Sequence, residues 1–414
     1  MNILIANWTW FPSGGDWTYI ENVSRLYEAN GHQVIPFSMK DERNLPTRYD
    51  EYFISNINYK TLNADKTISS GIKVLSKSIY SAEAKQCLEA LLDKVDIQLA
   101  HLNLIHHYIT PSILGVLKKR GIPVIWTLHD YTPICPESTF ISNDKVCEQC
   151  KGISFYHAVL NKCKKQSLLP SLAAAAENYV HHFKGYYKDV DHFICPSVFS
   201  YEKYKSFGFF KDKLHQLYHG YDFDGANLQS GERQPQQNRE EKFILFVGRL
   251  EKIKGGHTLL KAMQKHPDIS IKIIGDGAQE EELKVYAKEN QLHNVTFLGK
   301  RTKEDVWDFI RRSAFLICPS EWYEVLGFTI VEAMLIGKPV IGAHIGAIPE
   351  TVLNGETGFL FEPGNENELA EKIAQLYYNE ELTAELGANA KVHASRLFDP
   401  QQHFEGLKKI IPAL

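Results

Sequence analysis

Two glutamates in an apolar and aromatic stretch, Glu324 and Glu332, are the residues best suited to do chemistry. Glu324 is predicted in a turn with Gly327, and Glu332 lies on a helix predicted from about 329 to 336. Residues with this spacing fall within roughly 80° of one helix face, so both carboxylates can face one cleft if the turn folds back. Buried carboxylates need hydrogen-bond donors, and sugar or ribose hydroxyls are such donors. The alternative is a pair of capping or surface carboxylates near a helix start.

Cationic side chains stand at a second point of the C-terminal half. A buried strand is predicted at 243–247, Gly248 and Arg249 follow at its carboxyl end, and Lys254 precedes another predicted helix. Because arginine offers a planar fork and lysine a point charge, this pattern predicts an anion site that suits a diphosphate. The helix start at 327–328 is a further seat for a phosphate. The alternative for Arg249 and Lys254 is a pair of surface charges near a turn.

The N-terminal half opens with the pattern of a doubly wound α/β domain. An apolar run at 2–7 is followed by a loop with Gly14 and Gly15 and by a helical pattern at 17–28. The glycine pair lets the backbone approach a ligand, but the full G-x-G-x-x-G of a dinucleotide site is missing. A later strand ends in His129, which places this side chain at the sheet edge where open α/β sheets bind ligands. The alternative is a histidine satisfied by local backbone.

As a set, these motifs resemble those of retaining glycosyltransferases of family 4, GT4. The resemblance is strong over about 243–362 and weaker, but in order, over 1–222. The motifs that carry it are Glu324 followed by Glu332-Ala-Met, Gly248-Arg249-Leu followed by Lys254-Gly, and the turn Gly346-Ala-Ile-Pro349-Glu350.

The resemblance implies an α/β protein of the GT-B fold, with two Rossmann-like domains facing a deep cleft. Residues 1–222 would bind the acceptor, residues 223–395 would bind a nucleotide sugar, and a C-terminal helix at 396–414 would cross back to the first domain. The stretch 224–242 has almost no apolar residue and is predicted to be an exposed connection between the domains.

The resemblance also implies an activity, a hexosyltransferase that moves a sugar with retention from a nucleotide sugar to a glycan or lipid-linked acceptor. The expected setting is bacterial polysaccharide or cell-surface glycan biosynthesis, with UDP-sugars favoured over GDP-sugars and no cofactor required for catalysis. The alternatives are a non-catalytic scaffold that binds a nucleotide sugar and a nucleotide-sugar epimerase of the GT-B type.

The residues implied fall into three sets. The catalytic set is Glu324, His129, Arg249 and Lys254. The donor and nucleotide set is Gly14, Gly15, Gly248, Arg249, Lys254, Gly275, Gly277, Lys300, Arg301, Glu324, Val325, Leu326, Gly327, Phe328 and Glu332. The acceptor set is Asp16, Trp17, His106 and His107, with a place in the core left open for Trp17.

Four cysteines lie together in an insertion at about 131–165. Cys147 and Cys150 form one C-x-x-C knuckle, with Cys135 and Cys163 on either side. Four thiolates of this kind fit a tetrahedral structural Zn²⁺ site. A disulfide pair and four free thiols are the alternatives.

The bulk properties limit the classes of function. The chain has 414 residues, 44% apolar and 23% charged, which suits two or three soluble domains. A net charge of -4 argues against a general nucleic-acid partner. Residues 151–220 hold ten lysines, five acidic residues and no arginine, which suits an anionic membrane surface, a diphosphate-lipid acceptor or a solvated helical face.

The location is predicted to be cytoplasmic, with peripheral contact at the inner face of the membrane as an option. Seven cysteines, an odd number, suggest a reducing compartment. The first residues lack the basic region of a signal peptide and predict a strand, and no run of about 18 apolar residues is present.

Overall fold

The computed structural model describes residues 1–56, 79–222 and 242–414. The predicted connection at 224–242 therefore lies, except for Lys242, outside the described residues. The chain forms two compact units, an N-terminal unit of 1–220 with 400–414 and a C-terminal unit of 221–399.

The N-terminal unit is built on a parallel sheet with the strand order β2-β1-β3-β4-β7-β8. Its strands are short and apolar, as expected for strands covered on both faces. A small antiparallel hairpin, β5-β6, lies within the predicted insertion. The strand bounds are β1 (Asn2–Ala6), β2 (Gln33–Phe37), β3 (Leu99–Leu102), β4 (Val124–Thr127), β5 (Ile141–Ser142), β6 (Lys145–Val146), β7 (His192–Cys195) and β8 (Leu214–Gln216).

Helices connect these strands, and those that pack on the sheet bury apolar side chains against it. Helix α1, for example, buries Tyr19, Ile20, Val23 and Tyr27. The helix bounds are α1 (Gly15–Ala29), α2 (Ala82–Leu92), α3 (Leu114–Lys119), α4 (Tyr156–Leu160), α5 (Leu168–Phe183) and α6 (Val198–Ser206), and the C-terminal α14 (Pro400–Ile410) belongs to the same unit.

The C-terminal unit repeats the architecture with a parallel sheet in the order β11-β10-β9-β12-β13-β14. The strand bounds are β9 (Phe243–Val247), β10 (Ser270–Ile274), β11 (Val295–Gly299), β12 (Leu316–Cys318), β13 (Val340–Ala343) and β14 (Gly358–Phe361). The helix bounds are α7 (Gly256–Met263), α8 (Glu280–Glu289), α9 (Lys303–Arg312), α10 (Phe328–Ile336), α11 (Ile348–Thr351), α12 (Glu366–Tyr377) and α13 (Glu380–Leu397).

The strand order fixes where a ligand site can form in the C-terminal unit. The chain runs from β9 outward to β10 and β11, then returns to place β12 on the other side of β9. The order in which the strands are added therefore reverses between β9 and β12. Open α/β sheets bind ligands at such a switch point, at the carboxyl ends of the strands. The loops that follow β9 and β12 carry Arg249, Lys254 and Glu324.

Some elements differ from the sequence-based expectation. The sequence also predicts one helix over 111–120, ended by Gly121 and Pro123. The structure has a 3₁₀ turn at Pro111–Ile113 followed by α3, because Thr110 caps the turn with its hydroxyl and a proline begins it. The C-terminal helix was expected from 396, whereas α13 continues to Leu397 and α14 begins at Pro400. Among the described residues, no helix has both the length and the apolarity that a bilayer crossing requires.

Candidate active site

Glu324 is held by a cation and a hydroxyl at the end of β12. The ammonium of Lys254 and the hydroxyl of Ser320 both donate to Glu324 Oε1, the latter over 2.6 Å. Burial alone would raise the pKa of Glu324, but the charge and the hydrogen bond of Lys254 outweigh it, so that the pKa is lowered. Glu324 is thus a buried, ionised carboxylate that already has a cationic partner.

Two loops must approach closely to bring Lys254 and Glu324 together. Gly255 has a φ of +71°, and a Cβ there would lie 1.8 Å from the carbonyl oxygen of Pro319. Gly346, with a φ of +62°, packs in the same way on Glu324, because a Cβ there would lie 2.3 Å from the Glu324 backbone nitrogen. Only glycine fits at either position, and this explains the two motifs Lys-Gly and Gly-Ala-Ile-Pro-Glu.

An aromatic ring completes the surroundings of the ammonium. Lys254 Nζ lies 5.1 Å from the centroid of the Trp322 ring, within the range of a cation–π interaction. Nearby, the Thr258 hydroxyl donates to Glu321 Oε1 over 2.5 Å. Glu321 and Glu324 therefore have different partners, and Lys254 forms its ion pair with Glu324.

Arg249 is exposed and, within the described part of the chain, has no side-chain hydrogen bond or ion pair. It stands one residue after Gly248, whose backbone N–H donates to Ile274 over 3.0 Å. The neighbouring Leu250 N–H donates to Asp276 over 2.7 Å. The loop after β9 is thus tied to the loop after β10, which contains Gly275 and Gly277.

In the described part of the chain, no side chain caps the start of α10. Its N-cap is Gly327, with a φ of +82° and no side-chain cap, and Phe328 is the first helical residue. The preceding Val325 and Leu326 are buried and anchor this turn. An uncapped helix start of this kind can bind a phosphate through its N–H groups and its dipole.

Lys300 and Arg301 are exposed in the loop after β11. This loop begins at Gly299, whose carbonyl accepts a 3.0 Å hydrogen bond from Gly275 N–H. The predicted base-binding loop is therefore joined through the backbone to the loop of Gly275. Lys300 and Arg301 themselves form no hydrogen bond or ion pair with Glu324 or Lys254.

Glu332 lies on α10, buried, and accepts a 2.5 Å hydrogen bond from the hydroxyl of Tyr221. Burial raises the pKa of Glu332, and the Tyr221 hydrogen bond and the Lys303 charge oppose this rise only in part. Glu324 and Glu332 thus differ, since one has a lowered pKa and the other a raised one.

In the N-terminal unit, Gly14, Gly15 and Asp16 form the start of α1. Gly14 is the N-cap, without a side-chain cap, and Asp16 lies in the first turn. Both glycines are exposed and Asp16 is half-buried. This second helix start without a side-chain cap follows β1. The strand order of the N-terminal sheet also reverses here, between β1 and β3.

His129 follows β4 and shares a 2.8 Å hydrogen bond with Asn103 Oδ1 through its Nε2. An amide oxygen accepts, so Nε2 carries the proton and Nδ1 is left as an acceptor. Burial lowers the pKa of His129 to about 3, so the imidazole is neutral at physiological pH. Its ring lies 5.1 Å from Tyr19 and 5.4 Å from His219.

Two of the predicted acceptor residues, Trp17 and His106, have partners inside the N-terminal unit. Trp17 is buried and packs edge-on against Trp10, so the core alternative describes it. His106 is buried, stacks on Trp126 and hydrogen-bonds the Tyr187 hydroxyl over 3.0 Å. Both side chains are largely buried, with 6% of Trp17 and 7% of His106 exposed, and an acceptor role for either stays a prediction.

His107 is partly accessible, and its Nδ1 lies 2.8 Å from Glu177 Oε2 of α5. This pair links the loop after β3 to α5. An acceptor role for His107 and for Asp16 stays a prediction.

The four cysteines of the insertion are free thiols. Burial raises the pKa of Cys150 to about 12, and the nearby thiols of Cys135, Cys163 and Cys147 add to the rise. The disulfide alternative is therefore not what the structure contains. Over the described ranges, no three His, Cys, Asp or Glu side chains are arranged to hold a metal ion. Structural zinc at these cysteines stays a prediction.

Two hydrogen-bond partners of the glutamates were not predicted from the sequence. Ser320 precedes Glu324 by only four residues, but a serine at this spacing does not by itself indicate a hydrogen bond to the carboxylate. Tyr221 stands 111 residues before Glu332 and gave no local signal.

Two family models match the chain, one for each unit. Glycosyltransferase Family 4 matches residues 13–224, about half of the chain, and Glycosyl transferases group 1 matches residues 230–393. Their order along the chain is the order of the two units.

Curated relatives extend the likeness. The chain is 37% identical over 172 residues to the uncharacterized glycosyltransferase MJ1178 of Methanocaldococcus jannaschii, a match covering 42% of this chain. That match spans about half of the relative's length, 48%. Spore coat protein SA of Bacillus subtilis is 25% identical over 413 residues, covering 95% of this chain and 93% of that protein.

Among solved structures, Anabaena HepE in complex with UDP and glucose is similar with a TM-score of 0.67 and 21% identity, over 100% of both chains. The same protein was also solved with UDP-glucose. At this identity the likeness shows a shared fold.

Proposed function

Since the chain belongs to glycosyltransferase family 4, we propose that it moves a sugar from a nucleotide-sugar donor to a glycan or lipid-linked acceptor with retention of configuration. The GT-B fold predicted from the sequence is confirmed, because two Rossmann-like units and the solved neighbours agree on it. The activity of the whole protein, its donor and its acceptor are proposed here and go beyond the fold.

The observation that carries the proposal is the pairing of Glu324 with Lys254. A buried carboxylate can bind the sugar of a sugar diphosphate, and the neighbouring cation and the helix start without a side-chain cap can bind its diphosphate. Glu324 Oε2 and its backbone would accept from sugar hydroxyls. Lys254, Arg249 and the N–H groups at Phe328 would bind the diphosphate.

In the proposed reaction, the bond between the anomeric carbon and the diphosphate oxygen breaks as the acceptor oxygen attacks from the same face. The leaving phosphate takes the acceptor's proton. Arg249 and Lys254 would stabilise the charge that grows on the diphosphate, a form of preorganised electrostatic stabilisation. Lys254 would move from Glu324 toward the phosphate, which leaves Glu324 free to accept from the sugar.

Glu332 is proposed to accept from a ribose hydroxyl and His129 to bind the reacting sugar. A neutral His129 suits this role, since its free Nδ1 accepts while Nε2 is kept by Asn103. The loop glycines Gly248, Gly275 and Gly277 and the loop of Lys300 and Arg301 would line the nucleotide.

UDP-sugars are the preferred donors under this proposal, in line with the UDP and UDP-glucose complexes of Anabaena HepE. The acceptor would meet the N-terminal unit, near Gly14, Gly15 and Asp16. With a glycan or lipid-linked acceptor, the proposed role is the assembly of a bacterial surface glycan in the cytoplasm.

Calorimetry with UDP, GDP, dTDP and ADP tests the donor site. We expect one nucleotide to bind, and the variant Arg249→Ala to bind it at least about tenfold more weakly, because a charge-assisted contact is lost. If no nucleotide binds, the donor site and the proposed function are wrong.

Incubation with the sugar derivatives of the bound nucleotide then separates the alternatives. Transfer to an added acceptor, with the anomeric configuration kept in the NMR spectrum, supports the proposal. Release of an epimerised sugar would identify an epimerase. Binding without turnover across a broad acceptor panel would identify a scaffold.

A further inference from the structure

Helix α5 presents an apolar face to solvent. Leu169 is 74% exposed, Phe183 is 78% exposed, and Leu172 between them is also exposed. Within the helix the only carboxylate is Glu177, which is buried, and there is no lysine or arginine. The outward face of this 16-residue helix therefore carries no charge.

The exposed apolar side chains of the molecule are concentrated here. Eight of the fourteen large apolar side chains that the described residues expose lie between 146 and 183. Helix α4, which packs against α5, adds Tyr156 and the 70% exposed Leu160. The surface, called the α4–α5 face below, consists of Ile153, Tyr156, Leu160, Leu168, Leu169, Leu172 and Phe183. Soluble monomers rarely expose apolar side chains in such a group without a binding role.

Lysines border this face. Residues 145–188 contain seven lysines and two glutamates, Glu148 and Glu177. Glu177 is buried, and Glu148 pairs with Lys203. Exposed Lys165 precedes α5 and exposed Lys184 follows it, and in the described part of the chain neither has a carboxylate partner.

We propose that the α4–α5 face docks on the surface of a bilayer containing anionic lipids. An α-helix of this length measures about 24 Å, and with cations at both ends it suits a position in the plane of the interface. Lysine stems can cover apolar surface while their ammonium groups reach lipid phosphates. A neutral protein partner would match the apolar side chains but would leave the lysines without counter-charges.

This docking adds a site of action to the proposed function and does not rest on the transfer reaction. Loss of vesicle binding with nucleotide binding intact would overturn the docking alone. Loss of nucleotide binding with vesicle binding intact would overturn the donor site alone.

Co-sedimentation of the full chain with vesicles tests the proposal. One set contains phosphatidylcholine only, and the other contains equal parts of phosphatidylcholine and phosphatidylglycerol. We expect binding to the anionic vesicles that weakens at least about tenfold between about 0.1 M and 1 M salt, as the Debye length falls from about 10 to 3 Å. Equal binding to both vesicle types would overturn the role of the lysines, and no binding would overturn the proposal.

Matched variants identify the surface. Leu169→Gln with Leu172→Gln should weaken vesicle binding at least about tenfold, because two apolar side chains lose their burial in lipid. Lys165→Gln with Lys184→Gln should weaken binding to anionic vesicles by a similar factor. The control is Val392→Gln, which changes a side chain of equal exposure, 74%, on α13 of the other unit. Equal losses in the control would overturn the assignment.

Sedimentation velocity tests the alternative that a second copy of the chain occupies this face. A monomer that binds vesicles is expected. A dimer that becomes monomeric in Leu169→Gln/Leu172→Gln, together with no vesicle binding, would identify the face as a subunit interface and overturn the proposal. Circular dichroism and a thermal unfolding curve that match those of the wild type check that each variant is folded.

Discussion

The hydroxyl of Tyr221 donates a 2.5 Å hydrogen bond to Glu332 Oε1 inside the C-terminal unit, although the two residues stand 111 positions apart. Tyr221 is the first residue of this unit, and its backbone N–H also bonds to Phe398 at the unit's far end. A buried carboxylate with a raised pKa is thus kept in place by a residue at the unit's boundary.

Tyr221→Phe is expected to lower the free energy of unfolding by about 1–3 kcal/mol, because a buried carboxylate loses its short hydrogen bond. Chemical denaturation checks this. The control is Tyr286→Phe, whose hydroxyl makes a long, exposed 3.5 Å bond to Gln264. We expect the control to change stability by less than about 0.5 kcal/mol. Equal effects would show that Tyr221 is not a special support of Glu332.

Ser320→Ala should lower kcat/KM by about tenfold or more, with a smaller effect on nucleotide affinity. The Ser320 hydroxyl donates to Glu324 over 2.6 Å, and hydrogen bonds to charged groups contribute about 1.5–3 kcal/mol. Ser320 acts through Glu324, so a split between turnover and affinity distinguishes positioning from a folding defect.

The matched control is Ser313→Ala, a second buried serine of the same unit, whose hydroxyl bonds only to the backbone of Ile310. Its turnover should stay near the wild-type value. A loss of activity in Ser313→Ala as large as that in Ser320→Ala would contradict the positioning role.

Much of the fold was predictable because apolar runs and breakers are local signals. The strand at Phe243–Val247 matches the predicted bounds, since an apolar run sets both of its ends. Burial of single polar side chains was not predictable. The sequence does not reveal, for example, the stacking of His106 on Trp126 or its hydrogen bond to Tyr187, and its acceptor role stays a prediction.

The candidate site was predictable as a set of motifs and not as a set of contacts. Arg249 and Lys254 were expected to act together on one anion. In the structure Lys254 pairs with Glu324, across loops that only the close approach at Gly255 permits. Arg249 is exposed and makes no side-chain hydrogen bond or ion pair in the described part of the chain, so its joint role with Lys254 stays a prediction. Pairing between distant loops depends on strand order, which spacing along the chain does not contain.

Arg249→Ala should reduce turnover more than tenfold, because the transition state loses a cation on the leaving diphosphate. Steady-state kinetics with the donor found by calorimetry measures this effect. The control is Arg311→Ala, another exposed arginine of the unit, which pairs with Asp308 on the surface of α9. Unchanged turnover in Arg249→Ala would remove Arg249 from the site.

The stability of the N-terminal unit should fall in acid because it buries neutral histidines. Burial lowers the pKa of His129 to about 3 and that of His403 to about 4, whereas the unfolded chain binds a proton near 6.5. Between these values the unfolded state binds more protons, so acid favours unfolding. Each such histidine should lower the free energy of unfolding by about 1.4 kcal/mol per pH unit from about pH 6 down to pH 4.

Urea unfolding at several pH values measures this slope. His129→Gln keeps a side chain that can donate to Asn103 but removes the titrating ring, so the slope should fall by about one proton's worth, 1.4 kcal/mol per pH unit. A slope that is equal in wild type and His129→Gln would mean that His129 is already protonated in the folded chain, and its role as a neutral acceptor would have to be abandoned.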